Sequence, residues 1–163
     1  LAGGSNHSGN PSAYNGNASI SLRSPKKAGY LFKGWYTDRK FKKGIKKIQK
    51  GKGSNYTLYA KWEKVKKPSK PAIKSVSNSN AKKLKVVIKK KVKYAQGYQI
   101  QYALDKRFRK SMKTVTTKST SKTLTKLKKK KTYYVRVRAY RKDSVGNYIY
   151  GSYSSTKKIK ITK

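Results

Sequence analysis

Cysteine is absent from this chain of 163 residues, acidic residues number four, and histidine occurs once. Without cysteine the chain can form no disulfide, thiol nucleophile or thiolate metal site. The carboxylates are spread along the sequence, and the histidine lies in a Gly/Ser/Asn-rich segment. General acid–base catalysis needs paired titratable groups, and no such pair is evident. We therefore expect no enzyme activity, no catalytic or metal-binding residues and no cofactor. The four acidic residues are Asp38, Glu63, Asp105 and Asp143, and the single histidine is His7.

Long apolar segments are also missing. No run approaches the roughly 20 residues that cross a bilayer, and the N-terminus has no signal-peptide pattern. The chain begins with Leu1, and we interpret it as a fragment of a longer protein. Within this fragment we expect no membrane span.

Positive charge dominates what is present. Lysine and arginine number 45, which gives a formal net charge of +41 at pH 7. Residues 1–67 carry 16 basic side chains and residues 68–163 carry 29, so the charge belongs to the whole surface. A compact chain of this size exposes roughly 8,000 Å², which spaces the net charges about 14 Å apart. That spacing exceeds the Debye length of about 8 Å at physiological salt, so folding is permitted. High charge alone would also fit disorder, but regular apolar patterns argue against it.

The clearest pattern lies in residues 127–140, LKKKKTYYVRVRAY. Apolar and polar side chains alternate there with a period of two, which predicts a half-buried β-strand. The inward face is expected to carry Tyr133, Val135, Val137 and Ala139. The outward face is expected to carry Tyr134, Arg136, Arg138 and Tyr140.

The first third of the chain carries an aromatic strand pattern at Tyr30–Tyr36 and a second strand at Tyr56–Trp62. A turn is predicted over Gly51–Asn55 and a short helical turn over Arg39–Lys43. The segments GYLFKGWYTDRKF and NYTLYAKW resemble the internalin-type B repeat, also called the Listeria–Bacteroides repeat. This resemblance implies a small β-grasp-like fold at residues 1–63, mostly β with at most one short helix, with its first strand truncated. Trp35 and Trp62 would then be core anchors.

Residues 64–70 contain charge, serine and proline, and we interpret them as a short, semi-rigid linker. Residues 71–163 show about seven short strand patterns separated by turn residues, which predicts a β-sandwich. This part resembles a fibronectin type III domain through GYQIQY, at residues 97–102, and through Leu127 followed by YYVRVRA. Tyr133 matches the tyrosine-corner position and should hydrogen-bond to the preceding corner. The usual strand-two Trp is replaced by Ile88 or Lys89, so we expect Ile88 and Tyr98 to fill the core.

Two features are candidate binding sites. The lysine runs Lys128–Lys131 and Lys89–Lys91 could bind polyanions, or they could be ordinary solvated turns. The outward face of the central strand, together with Gln99 and Gln101, could stack sugars or bases, or it could be ordinary cation–π pairing. The candidate residues of the outward face are Tyr134, Arg136, Arg138 and Tyr140, and those of the first lysine run are Lys128, Lys129, Lys130 and Lys131. The expected structural residues are Trp35, Trp62, Tyr98, Leu127, Tyr133, Val135 and Val137.

Together these patterns predict a mainly β protein with a β-grasp-like repeat followed by a seven-stranded fibronectin type III-like sandwich. The resemblance implies a non-catalytic extracellular spacer or interaction region of a Gram-positive cell-surface protein. Its expected partners are anionic cell-wall polymers or host glycans, with non-specific nucleic acid binding in vitro and a monomeric state. The alternatives are a specific adhesion or carbohydrate-binding module, and an accessory region of a secreted hydrolase.

Overall fold

The structure is a computed structural model that describes residues 1–51 and 55–163. The described residues form thirteen β-strands and no helix, which confirms the mainly β prediction. Contacts divide the chain into two compact units. The first comprises Leu1–Val65 together with Lys142–Asn147, and the second comprises Lys66–Arg141 and Tyr148–Lys163. The turn predicted over Gly51–Asn55 falls largely outside the described residues.

The first unit contains five strands. They are β1 (Ile20–Ser21), β2 (Tyr30–Tyr36), β3 (Gly44–Ile45), β4 (Lys47–Ile48) and β5 (Tyr59–Lys64). Strands β3, β2 and β5 form one antiparallel sheet in that order, and β1 pairs with β4. The pairing of β2 with β5 shifts register between Phe32 and Gly34. Gly34 has a φ of 137°, which side chains rarely tolerate, so glycine permits the irregularity.

Aromatic rings fill the space between these strands. Phe32 makes edge contacts with Trp35 at 5.4 Å and with Trp62 at 5.5 Å between ring centroids. Trp35 is buried, and its indole N–H donates to the Arg23 carbonyl at 2.9 Å. Trp62 is only partly buried, and its N–H donates to the Leu1 carbonyl at 3.0 Å. Trp35 is therefore a core residue, whereas Trp62 lies at the edge of the core.

The short helical turn expected at Arg39–Lys43 is wrong. Asp38 accepts hydrogen bonds from the backbone N–H groups of Lys42 and Lys43, and Phe41 has a φ of 54°. A left-handed residue cannot continue a right-handed helix. The segment is therefore a tight turn closed by the Asp38 carboxylate.

The second unit contains eight strands. They are β6 (Ile73–Ser77), β7 (Leu84–Ile88), β8 (Gly97–Ala103), β9 (Lys113–Thr117), β10 (Ser121–Leu124), β11 (Thr132–Lys142), β12 (Tyr148–Tyr150) and β13 (Lys157–Lys160). One sheet has the order β10-β7-β6, and the other has the order β12-β11-β8-β9 with β13 also on β11. Val135 pairs with β8 on one side and with β13 on the other. Strands β12 and β13 thus share one edge of β11, so the eight segments fill seven strand positions.

Strand β11 follows the predicted alternation, because Tyr133, Val135, Val137 and Ala139 are all buried in one apolar core. Ile88 and Tyr98 lie in the same core, as expected in place of a tryptophan, and Lys89 is exposed. Leu127 is buried beside them. The Tyr133 hydroxyl accepts a hydrogen bond from the Lys128 N–H at 3.1 Å, the backward contact that a tyrosine corner predicts.

Gly97 pairs directly with Tyr140 across the β8–β11 ladder. A methyl group at Gly97 would overlap the Tyr140 hydroxyl and would lie 2.6 Å from its ring carbon Cζ and 2.8 Å from the Thr117 carbonyl. We predict that Gly97→Ala lowers the free energy of unfolding by roughly 2 kcal/mol through overpacking. Denaturant unfolding followed by circular dichroism measures this change.

Gly44→Ala is the matched control, because a methyl group at Gly44 meets nothing closer than 3.7 Å. It should leave stability within about 0.5 kcal/mol. Equal effects of the two substitutions would show that Tyr140 does not press on Gly97.

Candidate functional site

The outward face of β11 forms a stack of arginine and aromatic side chains. The Arg136 guanidinium lies 4.1 Å from the ring centroid of Phe108 and 4.1 Å from that of Tyr153. Its Nε–H donates to the Gln101 side-chain oxygen at 2.9 Å. Cation–π contact on both sides and a side-chain hydrogen bond thus fix this arginine in one orientation.

Arg138 repeats the arrangement two residues along. Its guanidinium lies 3.6 Å from the Tyr150 ring centroid and 4.7 Å from that of Tyr153, and its Nε–H donates to the Gln99 oxygen at 2.8 Å. Tyr153 therefore lies against both arginines. We call Phe108, Arg136, Tyr153, Arg138 and Tyr150 the arginine ladder.

The prediction that Tyr140 lies on an exposed aromatic face is wrong, because its side chain does not point into solvent. Its side chain is 7% exposed, because the ring packs over Gly97 and contacts Tyr148 at 4.9 Å and Tyr150 at 6.4 Å. Tyr134 is half-buried at the other end of the strand, where it pairs with Ala103 and Lys158. The rings that could stack on a ligand are thus largely occupied by arginines and by one another.

Sequence reasoning predicted Arg136, Arg138, Gln99 and Gln101 as neighbours, and the structure brings them together. Phe108, Tyr150 and Tyr153 were not predicted as ladder members. Phe108 lies in a loop, so no strand periodicity marks it. Tyr150 belongs to a short strand whose register follows only from its pairing with β11.

The run Lys128–Lys131 lies in the turn before β11, and all four side chains are exposed. Strand β11 begins at Thr132, and at about 3.3 Å per strand residue Thr132 lies roughly 20 Å from Arg138, so the run lies apart from that end of the ladder. The other run, Lys89–Lys91, lines an open cavity of about 420 Å³ together with Lys70 and Lys93. Lys70 comes from the predicted linker, which sequence reasoning did not connect with this run.

Asp38 and Asp105 occupy two copies of one turn, with the sequences DRKFKK and DKRFRK. Each carboxylate accepts N–H groups from residues four and five positions later, and the third residue after each aspartate, Phe41 or Phe108, has a positive φ. The Lys43 N–H contributes most to lowering the Asp38 pKa, and the Lys110 N–H contributes most at Asp105. A comparison of the two hexapeptides would have revealed this shared turn.

The Asp143 carboxylate is buried in the first unit. Burial acts to raise its pKa, but the N–H groups of Gly29, Asn147, Val145 and Gly146 outweigh this effect and lower it. The Asp143 pKa therefore lies below the ordinary value. Thus three aspartates accept hydrogen bonds from backbone N–H groups, and the half-buried Glu63 pairs with Lys33 at 3.0 Å.

Within residues 1–51 and 55–163, no group of three or more histidine, cysteine or acidic residues is placed to hold a metal ion. The same part of the chain has no helix of the length and apolarity that a membrane crossing requires.

The two facing antiparallel sheets and the tyrosine corner of the second unit define a β-sandwich interaction module. The chain belongs to the fibronectin type III family, whose model matches residues 67–151. Residues 1–61 match the model of the Listeria-Bacteroides repeat domain. Both resemblances inferred from the sequence are thereby confirmed. Such modules are typical of bacterial surface proteins and generally non-catalytic, and they fit an extracellular spacer or interaction role.

Several solved fibronectin type III structures are similar to the chain. The FN5 domain of Drosophila Lar is 20% identical, with 59% of this chain and 98% of that chain covered and a TM-score of 0.46. An Fn3-like protein from Clostridium thermocellum is 18% identical, with coverages of 59% and 92% and a TM-score of 0.43. The FN1–FN3 domains of chicken CNTN1 are 27% identical, with coverages of 72% and 41% and a TM-score of 0.49. No curated protein sequence matches the chain.

We predict that Arg136→Ala lowers the free energy of unfolding by roughly 2 kcal/mol, since it removes two ring contacts and one side-chain hydrogen bond. Lys131→Ala removes the same charge from an exposed turn and should change stability by less than about 0.5 kcal/mol. Urea titration of both variants tests the difference. Two equal, small effects would mean that the ladder contributes nothing to folding.

The lowered aspartate pKa values predict acid sensitivity. A carboxyl group whose folded pKa is lowered stabilises the fold fully above its unfolded pKa, and this contribution is lost as pH falls through the folded value. The midpoint temperature of thermal unfolding, measured at constant ionic strength, should be nearly constant from about pH 8 to about pH 5 and should fall below about pH 4.

The double variant Asp38→Asn, Asp105→Asn is the control for this acid transition. It should be less stable than the parent chain at neutral pH and should lose less stability on acidification, because two of the titrating groups are gone. An unchanged pH profile would exclude these two carboxylates as its source.

Proposed function

We propose that this chain is a non-catalytic spacer and interaction region of a Gram-positive cell-surface protein, held to anionic cell-wall polymers by its basic surface. The observation that carries the proposal is the net charge of +41, with three of the four acidic side chains directed at backbone N–H groups. With four acidic side chains against 45 basic ones, acidic residues neutralise little of the lysine charge. The lysines remain available to external anions.

The distribution of lysine supports collective rather than local binding. The chain has an accessible surface of 10,873 Å². Sharing it among 41 net charges gives about 265 Å² each, or a mean spacing of about 16 Å, which is about twice the Debye length at physiological salt. A flexible polyanion can contact several such charges at once, and each contact is weak and screened by salt.

The arginine ladder supports the same view, because its arginines are engaged within the protein. The guanidinium faces of Arg136 and Arg138 lie against aromatic rings, and both Nε–H groups bond to glutamines. Polyanion binding therefore falls to the exposed lysines. The cavity lined by Lys89–Lys91 and Lys93 brings these lysines together with Lys70.

Binding of the chain to purified Gram-positive cell wall, with and without teichoic acid, tests the proposal. We expect binding at about 0.15 M NaCl, its loss on removal of teichoic acid, and its collapse at about 1 M NaCl, where the Debye length is about 3 Å. Binding that survives both treatments would overturn the charge-driven account.

A pair of charge-matched variants tests whether binding is collective. One replaces Lys89, Lys90, Lys91 and Lys93 with glutamine, and the other replaces Lys128, Lys129, Lys130 and Lys131 with glutamine. Each removes four charges, so collective binding predicts similar losses of affinity in the two variants. A loss confined to the first variant would instead assign binding to the lysine-lined cavity.

A further inference from the structure

The first unit contains an open cavity of about 760 Å³. This volume lies within the range of roughly 300–1,000 Å³ typical of small-molecule sites. Its lining includes the apolar side chains of Ile20, Leu22, Trp35, Ile48 and Leu58. Amide and hydroxyl side chains make up much of the rest, namely Asn6, Asn10, Ser12, Tyr14, Asn15, Asn55 and Tyr56. The lining therefore offers apolar contact together with a larger number of hydrogen-bonding side chains.

The described lining of this cavity contains no lysine, arginine, aspartate or glutamate. Charged residues make up 30% of the chain, so a random set of sixteen lining residues would include about five. Within the part of the chain that the structure describes, none of the sixteen has a charged side chain. Much of the wall comes from residues 1–22, which contain no lysine, arginine, aspartate or glutamate. An uncharged cavity in a chain of this composition favours an uncharged ligand.

Hydrogen bonds hold part of the wall in place and leave other groups available. The Asn10 side chain accepts the Arg23 N–H at 2.6 Å and donates to the Arg23 carbonyl at 2.8 Å, which anchors the wall to the segment after β1. Among the described residues, the Asn15 side-chain nitrogen and the Tyr56 hydroxyl have no protein hydrogen-bond partner. The Tyr14 and Tyr56 rings lie 6.4 Å apart between centroids.

We propose that this cavity binds a neutral saccharide. A sugar ring presents a C–H face that packs against aromatic and aliphatic side chains, and hydroxyl groups that bond to amides and tyrosine. A polyanion gains little from a lining without charged side chains, and a purely apolar ligand would leave the amides without partners. This site is distinct from the lysine surface, so it stands or falls independently of wall-polymer binding.

An array of neutral glycans, probed with the 163-residue chain at about 1 M NaCl, tests this proposal while the Debye length of about 3 Å suppresses binding to anions. We expect at least one neutral glycan to bind. The best binder is then titrated in solution while the fluorescence of Trp35 is followed in a Trp62→Phe variant, because Trp35 lines the cavity.

Two rim variants, Tyr56→Ala and Asn15→Ala, should each weaken this binding by about tenfold. Their matched controls are Tyr94→Ala, which removes an exposed tyrosine of the second unit, and Asn17→Ala, which removes an exposed asparagine outside the cavity lining. Both controls should bind as the parent chain does. The proposal is overturned if no neutral glycan binds, or if binding is unchanged in both rim variants.

Discussion

The contacts of Arg136 and Arg138 with aromatic rings are the interaction on which the sandwich face of β11 depends. The chain carries 41 net positive charges, and three of its four acids serve backbone N–H groups, so few carboxylates remain for arginine. Tyrosine and phenylalanine rings take that role here, because a planar guanidinium stacks well on an aromatic face. The segment after β12 is held over the sheet by the same contacts, since Tyr153 lies against both arginines.

Arginine and lysine side chains consequently have different environments in this chain. Four of its seven arginines lie over aromatic rings, namely Arg39, Arg136, Arg138 and Arg141. Most of the lysines in the described part of the chain are exposed. A compact ammonium group is strongly hydrated and gains less from stacking, so lysine suits a surface that meets salt and polyanions. Two long segments contain no lysine, arginine, aspartate or glutamate. Residues 1–22 supply much of the wall of the cavity in the first unit, and residues 144–156 supply the tyrosines of the arginine ladder.

The strand pattern was predictable where one face is buried. Alternation in β11 identified Val135 and Val137 as core residues because burial repeats every second residue. The burial of Tyr140 was not predictable, since it follows from the missing side chain of Gly97 on a strand paired across the sheet. The grouping of Lys142–Asn147 with the first unit also depends on long-range contacts, such as that of Asp143 with Gly29. Neither contact leaves a periodic signal in the local sequence.

The measurement that tests the central claim most directly is the NMR signal of the arginine Nε–H groups at neutral pH, with and without soluble teichoic acid. The account predicts slowly exchanging Nε–H signals for Arg136 and Arg138, shifted by the neighbouring rings and unmoved by the polymer, while lysine signals change. Rapidly exchanging, unshifted signals for these two arginines, or shifts on polymer addition centred on them, would contradict a structural ladder beside a lysine-based binding surface.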